Sequence, residues 1–494
     1  MSYKAKFADL TLHLLDAIFN AYKKIGLTKD WGVGLMATSQ QAVGLEHRQE
    51  LTIEEARKDV LHLAWPAVVE QLLIQLFNMV DMMMVGGVGP AAIAAIGLTN
   101  QPIFLAMAAF MALNVGTTAV VARFIGAGDQ EEANTAARQS LIIIGLLGVI
   151  ATIVLHTFAE PLVLFMGAKE DSIGYAVTYI RVIALGFVPQ TIGMSITAVL
   201  RGAGDTRTPM KYNIIANVIN VVGNFLLING YFGFPRWEVF GAALATTISR
   251  VVGMILALYA VSSGKSVLRV SWKEKFTPRP DLIVRVARVG APAMLEQLIM
   301  RFGMVTFTRV VSGLGTLVYA AHQIGMNIVG LSFTPGIGFG MAATSFVGRS
   351  LGRKRPDWAE TYGWQTRLIG NMVAAFMGVV FFFGGGLLAS LYTDDPEVIK
   401  NAATVLKIIA LVQPLQSTQF ILAGALRGAG DTRWPLLSTL VGIAFVRVVL
   451  AKLFVNVFTW GLVGAWLAMA IDQCTRSAFI YFRYRSGRWK TVKV

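Results

Sequence analysis

The sequence predicts an all-α polytopic membrane protein, in which twelve transmembrane helices form two parallel six-helix repeats. Of its 494 residues, 55% are hydrophobic and only 14% are charged, whereas about 25% of residues are charged in ordinary soluble domains. The apolar residues form twelve segments, and each is long enough for the roughly 20 residues that a membrane-spanning helix needs. One motif occurs in both halves of the chain. This composition excludes a soluble globular protein, and the many aromatic residues exclude a disordered chain.

The predicted spans divide the chain into domains. We expect an N-terminal extension over residues 1–58, an N-lobe over 59–262, a basic linker over 263–288, a C-lobe over 289–484 and a basic tail over 485–494. The spans cover about residues 62–85, 92–118, 139–160, 173–199, 212–232, 240–262, 289–311, 318–346, 364–389, 398–425, 434–457 and 461–482. Frequent Gly, Pro, Ser and Thr in them indicate close packing, or breaks around a cavity.

Basic residues lie mainly on one side of the predicted membrane. The net charge is +15. Lys and Arg cluster in the loops after the even-numbered spans, whereas the opposite loops include the acidic pair Asp394 and Asp395. By the positive-inside rule both termini are cytoplasmic, which predicts a multi-pass protein of the plasma (inner) membrane. Contact with membrane lipids explains the charge better than nucleic acid, because no basic helix face or aromatic RNA-binding motif is present.

An internal repeat relates the two halves. The motif LRGAGDTR covers residues 200–207 and 426–433, an offset of 226 that also aligns Pro66 with Pro292. Each repeat holds an even number of spans, so the halves have the same orientation and are related by an axis along the membrane normal. Many secondary transporters follow this plan, with substrate bound between the lobes. The single cysteine, Cys474, excludes an intramolecular disulfide framework and a cysteine metal cluster.

Residues 1–52 lie outside the repeat. Over residues 5–25 the apolar side chains follow helical spacing, and charged residues occupy the remaining positions. This pattern is typical of an amphipathic helix in the inner membrane interface. A poorly ordered tail is the alternative. The segment lacks a signal-peptide cleavage pattern, so we expect no removable signal peptide.

One intramembrane carboxylate is the leading functional candidate. Asp81 lies about 22 Å along the first span, counted from Pro66 at about 1.5 Å per residue. Carboxylates at this depth are costly and normally face a cavity or a partner. Asn220 and Asn224 are one helical turn apart on the fifth span, so both amides project from one face. The alternative is a carboxylate that neighbouring helices merely satisfy.

These features resemble the multidrug and toxic compound extrusion (MATE) family. The resemblance rests on twelve spans in two repeats, the first-span pattern from Pro66 through Glu70 and Asp81 to Gly86, the twin LRGAGDTR loops, and Ala321-His322-Gln323-Ile324 followed by Gly336 and Gly340. It covers about residues 60–485. Its details are most similar to the prokaryotic branch that includes the DNA-damage-inducible-type members.

The resemblance implies export of amphipathic, often cationic, organic compounds, driven by inward flow of H+ or Na+ between outward-open and inward-open V-shaped states. It implies that Asp81, Asn220, Asn224 and Thr246 form the cation-coupling site. Some relatives have aspartate where this chain has Asn224, and the missing carboxylate weakens a Na+ site and favours H+. For Thr246 the alternative is a hydroxyl bonded to its own helix backbone.

Several other residues are secondary candidates. Glu70 and Glu296 are repeat mates, each one turn after a proline that we place at a helix start, where the helix dipole would favour a carboxylate. The resemblance implies a further C-lobe site at a seventh-span glutamate and a tenth-span aspartate, but the aspartate position is Gln416 here. His322 could be a protonation switch or a hydrogen-bonded packing residue. Arg447 and the other C-lobe basic residues, Arg301 among them, could snorkel to the outer interface, pair with Glu296 or Asp472, or bind an anionic group.

Other classes of protein and ligand are less consistent with the sequence. The loop motif lacks the GxxxxGK[ST] pattern of ATP-binding loops, and no metal-spaced histidine set or nucleophile motif points to an enzyme. We therefore expect no cofactor and no resident metal beyond the coupling ion. A flippase for a lipid-linked or polar precursor, from the same superfamily, is the alternative function. An adaptable wall for apolar ligands is one interpretation of the methionines at positions 79, 82, 83, 84, 300, 304 and 326.

Overall fold

The computed structural model describes residues 50–168, 170–263, 268 and 277–492, and within them the secondary structure is entirely helical. The amphipathic pattern predicted over residues 5–25 lies outside the described residues. The first half contains α1 (Ile53–Gly86), α2 (Pro90–Ala127), α3 (Gln130–Thr157), α4 (Ala159–Phe165), α5 (Glu170–Leu185), α6 (Phe187–Gly202), α7 (Arg207–Asn229) and α8 (Glu238–Ser262).

The second half repeats this order with one short helix fewer. It contains α9 (Pro280–Ser312), α10 (Thr316–Gly352), α11 (Pro356–Ser390), α12 (Pro396–Ala410), α13 (Gln413–Gly428), α14 (Arg433–Val457) and α15 (Gly461–Arg485). Two stretches of α14, Leu440–Arg447 and Leu453–Val457, are π-helical. The C-lobe thus begins at Pro280, inside the predicted linker, because its first turns are too polar to be recognised as part of a span.

Eight described helices are long and apolar enough to cross a membrane: α1, α2, α3, α7, α8, α10, α11 and α14. Two bent pairs raise the number to ten. The pair α5 and α6 bends by 48°, and the pair α12 and α13 by 56°. Pro189 and Pro414 lie in the first turn of α6 and α13, and proline cannot donate a hydrogen bond to the preceding turn. The helices α9 and α15 are long enough but less apolar, so hydropathy alone does not confirm twelve spans.

Four of the longest helices, α1, α2, α9 and α10, each contain an internal proline. Thr52 caps α1 through a capping box with Glu55, so the helix begins thirteen residues before Pro66. Pro292 is likewise inside α9, which starts at Pro280. The expectation that these prolines mark helix starts is therefore wrong. Glu70 and Glu296 lie in helix interiors, where the terminal dipole does not reach them.

The two halves pack together mainly through α1 and α2 of the first and α9, α10 and α11 of the second. One close approach is at the ends of α2 and α10 beside the basic loops. A Cβ atom at Gly126 would collide with the Arg349 carbonyl, and one at Gly352 would collide with the Arg123 carbonyl. These glycines allow the two helix backbones to touch. The lobes are thus in close contact at the end of the bundle that the charge pattern assigns to the cytoplasm.

Candidate functional site

A polar cluster joins α1, α7 and α8 inside the N-lobe. The Asn224 Nδ2 donates to Asp81 Oδ1 at 2.7 Å. We orient the Asn220 amide with its nitrogen toward Asp81, because the opposite orientation would face an oxygen to the carboxylate. It then donates to both carboxylate oxygens, at 3.1 and 2.8 Å, and its oxygen lies 3.1 Å from Thr246 Oγ1. The structure therefore brings together the four residues predicted to form one site.

The residues of this cluster differ in burial and in their hydrogen-bond partners. The side chains of Asn220 and Asn224 are buried, whereas Asp81 is partly exposed. Asn224 Oδ1 is buried without a hydrogen-bond partner among the described residues. The Thr246 hydroxyl lies 2.9 Å from the carbonyl oxygen of Ala242 in its own helix, so the backbone-bonded alternative for Thr246 is also present. A carboxylate held by amide N–H groups can take up a proton, and one free amide oxygen remains beside it.

The cluster has no counterpart in the C-lobe. At the repeat offset of 226, the positions of Asp81, Asn220 and Asn224 are occupied by Phe307, Val446 and Leu450. The Phe307 side chain is buried and contributes to an apolar core. The repeat alignment could have predicted this asymmetry directly. The polar cluster is therefore a specialised feature of one lobe within an otherwise repeated fold.

Two buried glutamates form matching ion pairs, one in each lobe. In the N-lobe, Arg201 donates to Glu70 at 2.8 Å, and Asn213 donates to the same carboxylate at 2.6 Å. In the C-lobe, the arginine and hydroxyl at the repeat-mate positions donate to Glu296, Arg427 at 2.7 Å and Thr439 at 3.3 Å. Sequence analysis found the two glutamates but missed their partners. The offset of 226 relates all three pairs of residues and could have identified them.

A cavity of about 260 Å³ lies between the lobes beside these ion pairs. Arg201, Glu296 and Arg427 line it, together with residues of α2, α6, α9, α10 and α13. None of the seven methionines proposed as an adaptable wall lines it. Its lining methionines are Met111, Met194 and Met341. Hydropathy does not tell which face of a span is turned toward the other lobe, so the methionines that line this cavity could not be identified from the sequence.

The remaining C-lobe candidates are Arg447, His322 and Gln416. Arg447 binds Asp472 through Nε at 3.0 Å, and Arg476 binds the same carboxylate at 2.9 Å, so Arg447 is buried rather than snorkelling. His322 is buried among aromatic rings, and its Nδ1 has no partner among the described residues. The expected hydrogen bond at that nitrogen is thus absent there. Gln416 is buried with both amide atoms unpartnered in the described part of the chain.

Within residues 50–168, 170–263, 268 and 277–492, no group of three or more His, Cys, Asp or Glu side chains could hold a metal ion. Asp81 therefore stands as a single carboxylate among amides and a hydroxyl. Such a set has fewer anionic oxygens than hard cations usually take as ligands.

Comparison with known proteins gives the same repeated plan. The MatE family model matches residues 66–226 and 292–453. The "Probable multidrug resistance protein NorM" of Thermotoga maritima is 32% identical over 446 residues, which cover 89% of this chain and 94% of that protein. The "Multidrug resistance protein PmpM" of Pseudomonas aeruginosa is 32% identical over 413 residues, covering 80% and 82% of the two chains.

Solved structures agree with these sequence relatives. An outward-facing multidrug resistance MATE family transporter of the MOP superfamily has a TM-score of 0.83 at 26% identity, over 88% of this chain and 97% of that chain. A MOP superfamily transporter from Pyrococcus furiosus, described by a reversed polarity of its binding pocket, has a TM-score of 0.81 at 27% identity, over 87% and 95%. One family model matches both halves of the chain, and the multidrug resistance relatives and the solved structures extend the match to most of its length. This chain therefore belongs to the MATE family of multidrug efflux transporters.

Proposed function

We propose that this protein is a cation-coupled antiporter that exports amphipathic organic compounds by alternating access, with H+ favoured over Na+ as the coupling ion. Asp81 carries the coupling cation, and Asn220, Asn224 and Thr246 position it. The observation that carries the proposal is the pair of amide contacts that hold the Asp81 carboxylate inside the N-lobe. Within the family, the details of the motifs favour the prokaryotic DNA-damage-inducible-type branch.

Twelve spans in a V-shaped arrangement are part of this proposal. The helices α9 and α15 fail the hydropathy test, but their repeat mates α1 and α8 pass it. Since one repeat register relates each pair, we count α9 and α15 as spans alongside the eight single helices and the two bent pairs. Both termini then lie on the side of the basic loops, in the cytoplasm.

The composition of the Asp81 cluster supports H+ over Na+. Na+ binds through several oxygen ligands, whereas both Asp81 oxygens already accept N–H groups. A proton needs one oxygen. Its uptake removes the charge that the amides stabilise, and this changes the balance between the two openings of the lobes. Export follows if cation and substrate binding are mutually linked.

Proteoliposome transport tests the proposal. Purified protein is reconstituted, fluorescent amphipathic probes, one cationic and one anionic, are supplied in parallel, and a pH gradient or a Na+ gradient is imposed, with Asp81→Asn as the variant. We expect uptake that follows the pH gradient and is lost in Asp81→Asn, while the variant keeps its elution profile and melting temperature. Full transport by a folded variant contradicts the role of Asp81. Absence of transport under both gradients favours the alternative, a flippase of a lipid-linked or polar precursor.

A further inference from the structure

The charges around the inter-lobe cavity do not balance. Among the residues that line it, the acidic side chain is Glu296 and the basic ones are Arg201 and Arg427. Glu296 is bound by Arg427, and Arg201 is bound by Glu70 behind the wall. Each carboxylate is thus committed to an arginine of its own lobe. The lining leaves no free carboxylate for a cationic ligand.

A third arginine lies near the outer side of this cavity. The Arg301 guanidinium of α9 stacks 3.4 Å from the centre of the Phe104 ring of α2, and so reaches from one lobe to the other. Within the described residues Arg301 makes no hydrogen bond and no ion pair. Its side chain is exposed, and Phe104 is 41% exposed. A guanidinium on an aromatic face, with its edge N–H groups free, can accept an anion without breaking the stack.

Helix geometry places this pair beside the cavity. Phe104 is seven residues, about two turns, before the lining residue Met111 and so lies on the same face of α2. Arg301 is one turn after the lining residue Gln297. The pair therefore lies within about 10 Å of the lining residues along the helix axes, toward the ends away from the basic loops.

Arg301, unlike the two ion pairs, has no charged counterpart in the other repeat. Glu70 and Arg201 are repeat mates of Glu296 and Arg427, so each lobe contributes one negative and one positive charge. The repeat mate of Arg301 is Gln75, which is uncharged. The charges of the two ion pairs thus cancel, and Arg301 adds one positive charge beside the cavity.

The cavity also offers an unused donor. Arg201 Nε is buried without a hydrogen-bond partner in the described part of the chain, and Arg201 lines the cavity. The walls around it are apolar, with Phe420, Ile337 and Met194 among them. A ligand suited to these walls has an aromatic or aliphatic body and an acceptor group that can reach arginine N–H groups.

We infer that the cleft takes amphipathic organic anions, such as aromatic sulfonates and carboxylates, and that Arg301 determines this specificity. The inference rests on the proposed export function and concerns its substrate class. Guanidinium groups bind carboxylates and sulfonates through paired, charge-assisted hydrogen bonds, while the Phe104 ring supplies apolar contact for the ligand body.

Two probes with the same aromatic body test the inference: pyrene-1-sulfonate and (1-pyrenylmethyl)trimethylammonium. Equilibrium binding to the purified full-length protein is measured by fluorescence anisotropy. Transport of both probes is then measured in proteoliposomes. We expect the sulfonate to bind at least fivefold more tightly than the ammonium. Arg301→Gln should weaken sulfonate binding at least fivefold without weakening ammonium binding, and Arg301→Lys should restore part of the loss.

Arg285→Gln is the matched control, because Arg285 lies on the same helix and also contacts an aromatic ring, that of Phe124 at 6.0 Å, but about two turns before the lining residue Ala293, on the side opposite to Arg301. It should leave both affinities unchanged. Tighter binding of the ammonium, or an equal loss of both probes in Arg301→Gln, overturns the inference.

The binding and transport measurements with the two probes also distinguish this inference from the proposed function. Gradient-driven transport of the ammonium alone sustains the antiporter and overturns the anion specificity, whereas transport of neither probe under either gradient counts against the antiporter itself. Displacement of bound sulfonate by phosphatidylglycerol but not by 2-naphthalenesulfonate identifies a lipid headgroup as the occupant, and overturns the assignment of a free organic anion.

Discussion

Replacing Asn224 by aspartate should convert the Asp81 cluster into a site that requires a bound cation. The Asn224 amide nitrogen lies 2.7 Å from Asp81 Oδ1. Asp has the same shape as Asn, so Asn224→Asp places a second carboxylate oxygen against the first without a cavity or a clash. Two acceptors then face each other in a buried cluster, and the hydrogen bond that held them together is lost.

The size of the effect follows from Coulomb's law. Two unit charges about 4 Å apart repel by about 4 kcal/mol at an effective dielectric constant of about 20. A cation bound between the carboxylates relieves this repulsion. Since about 1.4 kcal/mol corresponds to a tenfold change in affinity, the affinity of the variant for one H+ or Na+ should exceed that of the native cluster by about a thousandfold.

Thermal unfolding measures this gain. The purified variant is melted at pH 8 and at pH 6, with Na+ replaced stepwise by N-methylglucamine at constant ionic strength. A cation that binds only the folded state stabilises it, by about 2.7 kcal/mol when present at a hundred times its dissociation constant. We expect Asn224→Asp to be stabilised by Na+ at pH 8 and by the lower pH without Na+. The native protein should respond much less to Na+.

Two controls isolate the contact with Asp81. Asn217→Asp makes the same substitution on the same helix, but the Asn217 amide donates to the Asn213 carbonyl rather than to Asp81, so the Na+ response should stay native. The exchange variant Asp81→Asn/Asn224→Asp restores a single carboxylate and should also lose the new response. If Asn224→Asp melts with the same dependence on Na+ and pH as these two controls, the reasoning is refuted.

Two further predictions concern the ion pairs and the contact between lobes. Glu70→Ala should cost about 3–5 kcal/mol of stability because it leaves the Arg201 charge buried without its partner. In a double-mutant cycle, the Glu70→Ala/Arg201→Ala protein should lose less stability than the sum of the two single losses. Additive losses would contradict the pairing. Gly126→Val should separate α2 from the Arg349 carbonyl and populate the state that opens beside the basic loops, measured as longer distances between spin labels at the ends of α2 and α10. Unchanged distances would show that this backbone contact does not hold the lobes together.

The sequence by itself determined the repeat, the membrane environment and the key polar residues. Long apolar segments need no tertiary information to be recognised, since a bilayer imposes their length. The motif LRGAGDTR fixed the offset between halves, and that offset correctly relates Glu70 to Glu296 as members of matching buried pairs. Asp81 was identifiable because an intramembrane carboxylate is costly and therefore rare.

Helix boundaries were less accessible to sequence analysis. Pro66 and Pro292 were placed at helix starts, yet both lie inside continuous helices. Proline is tolerated within membrane helices when neighbouring groups satisfy the freed backbone, so a proline alone does not mark an end. Polar turns that extend a helix beyond the membrane were missed, because a hydropathy pattern detects only the apolar part of a helix.

Only the tertiary structure decided which partners meet. The contact of Asn224 with Asp81 spans 143 residues, that of Arg201 with Glu70 spans 131, and Arg301 meets Phe104 across the two lobes. Such contacts depend on how helices rotate and cross, which is set by the packing of entire faces and not by the spacing of any one motif. The sequence therefore supplied the chemical groups and their symmetry, whereas packing between helices decided which of these groups meet.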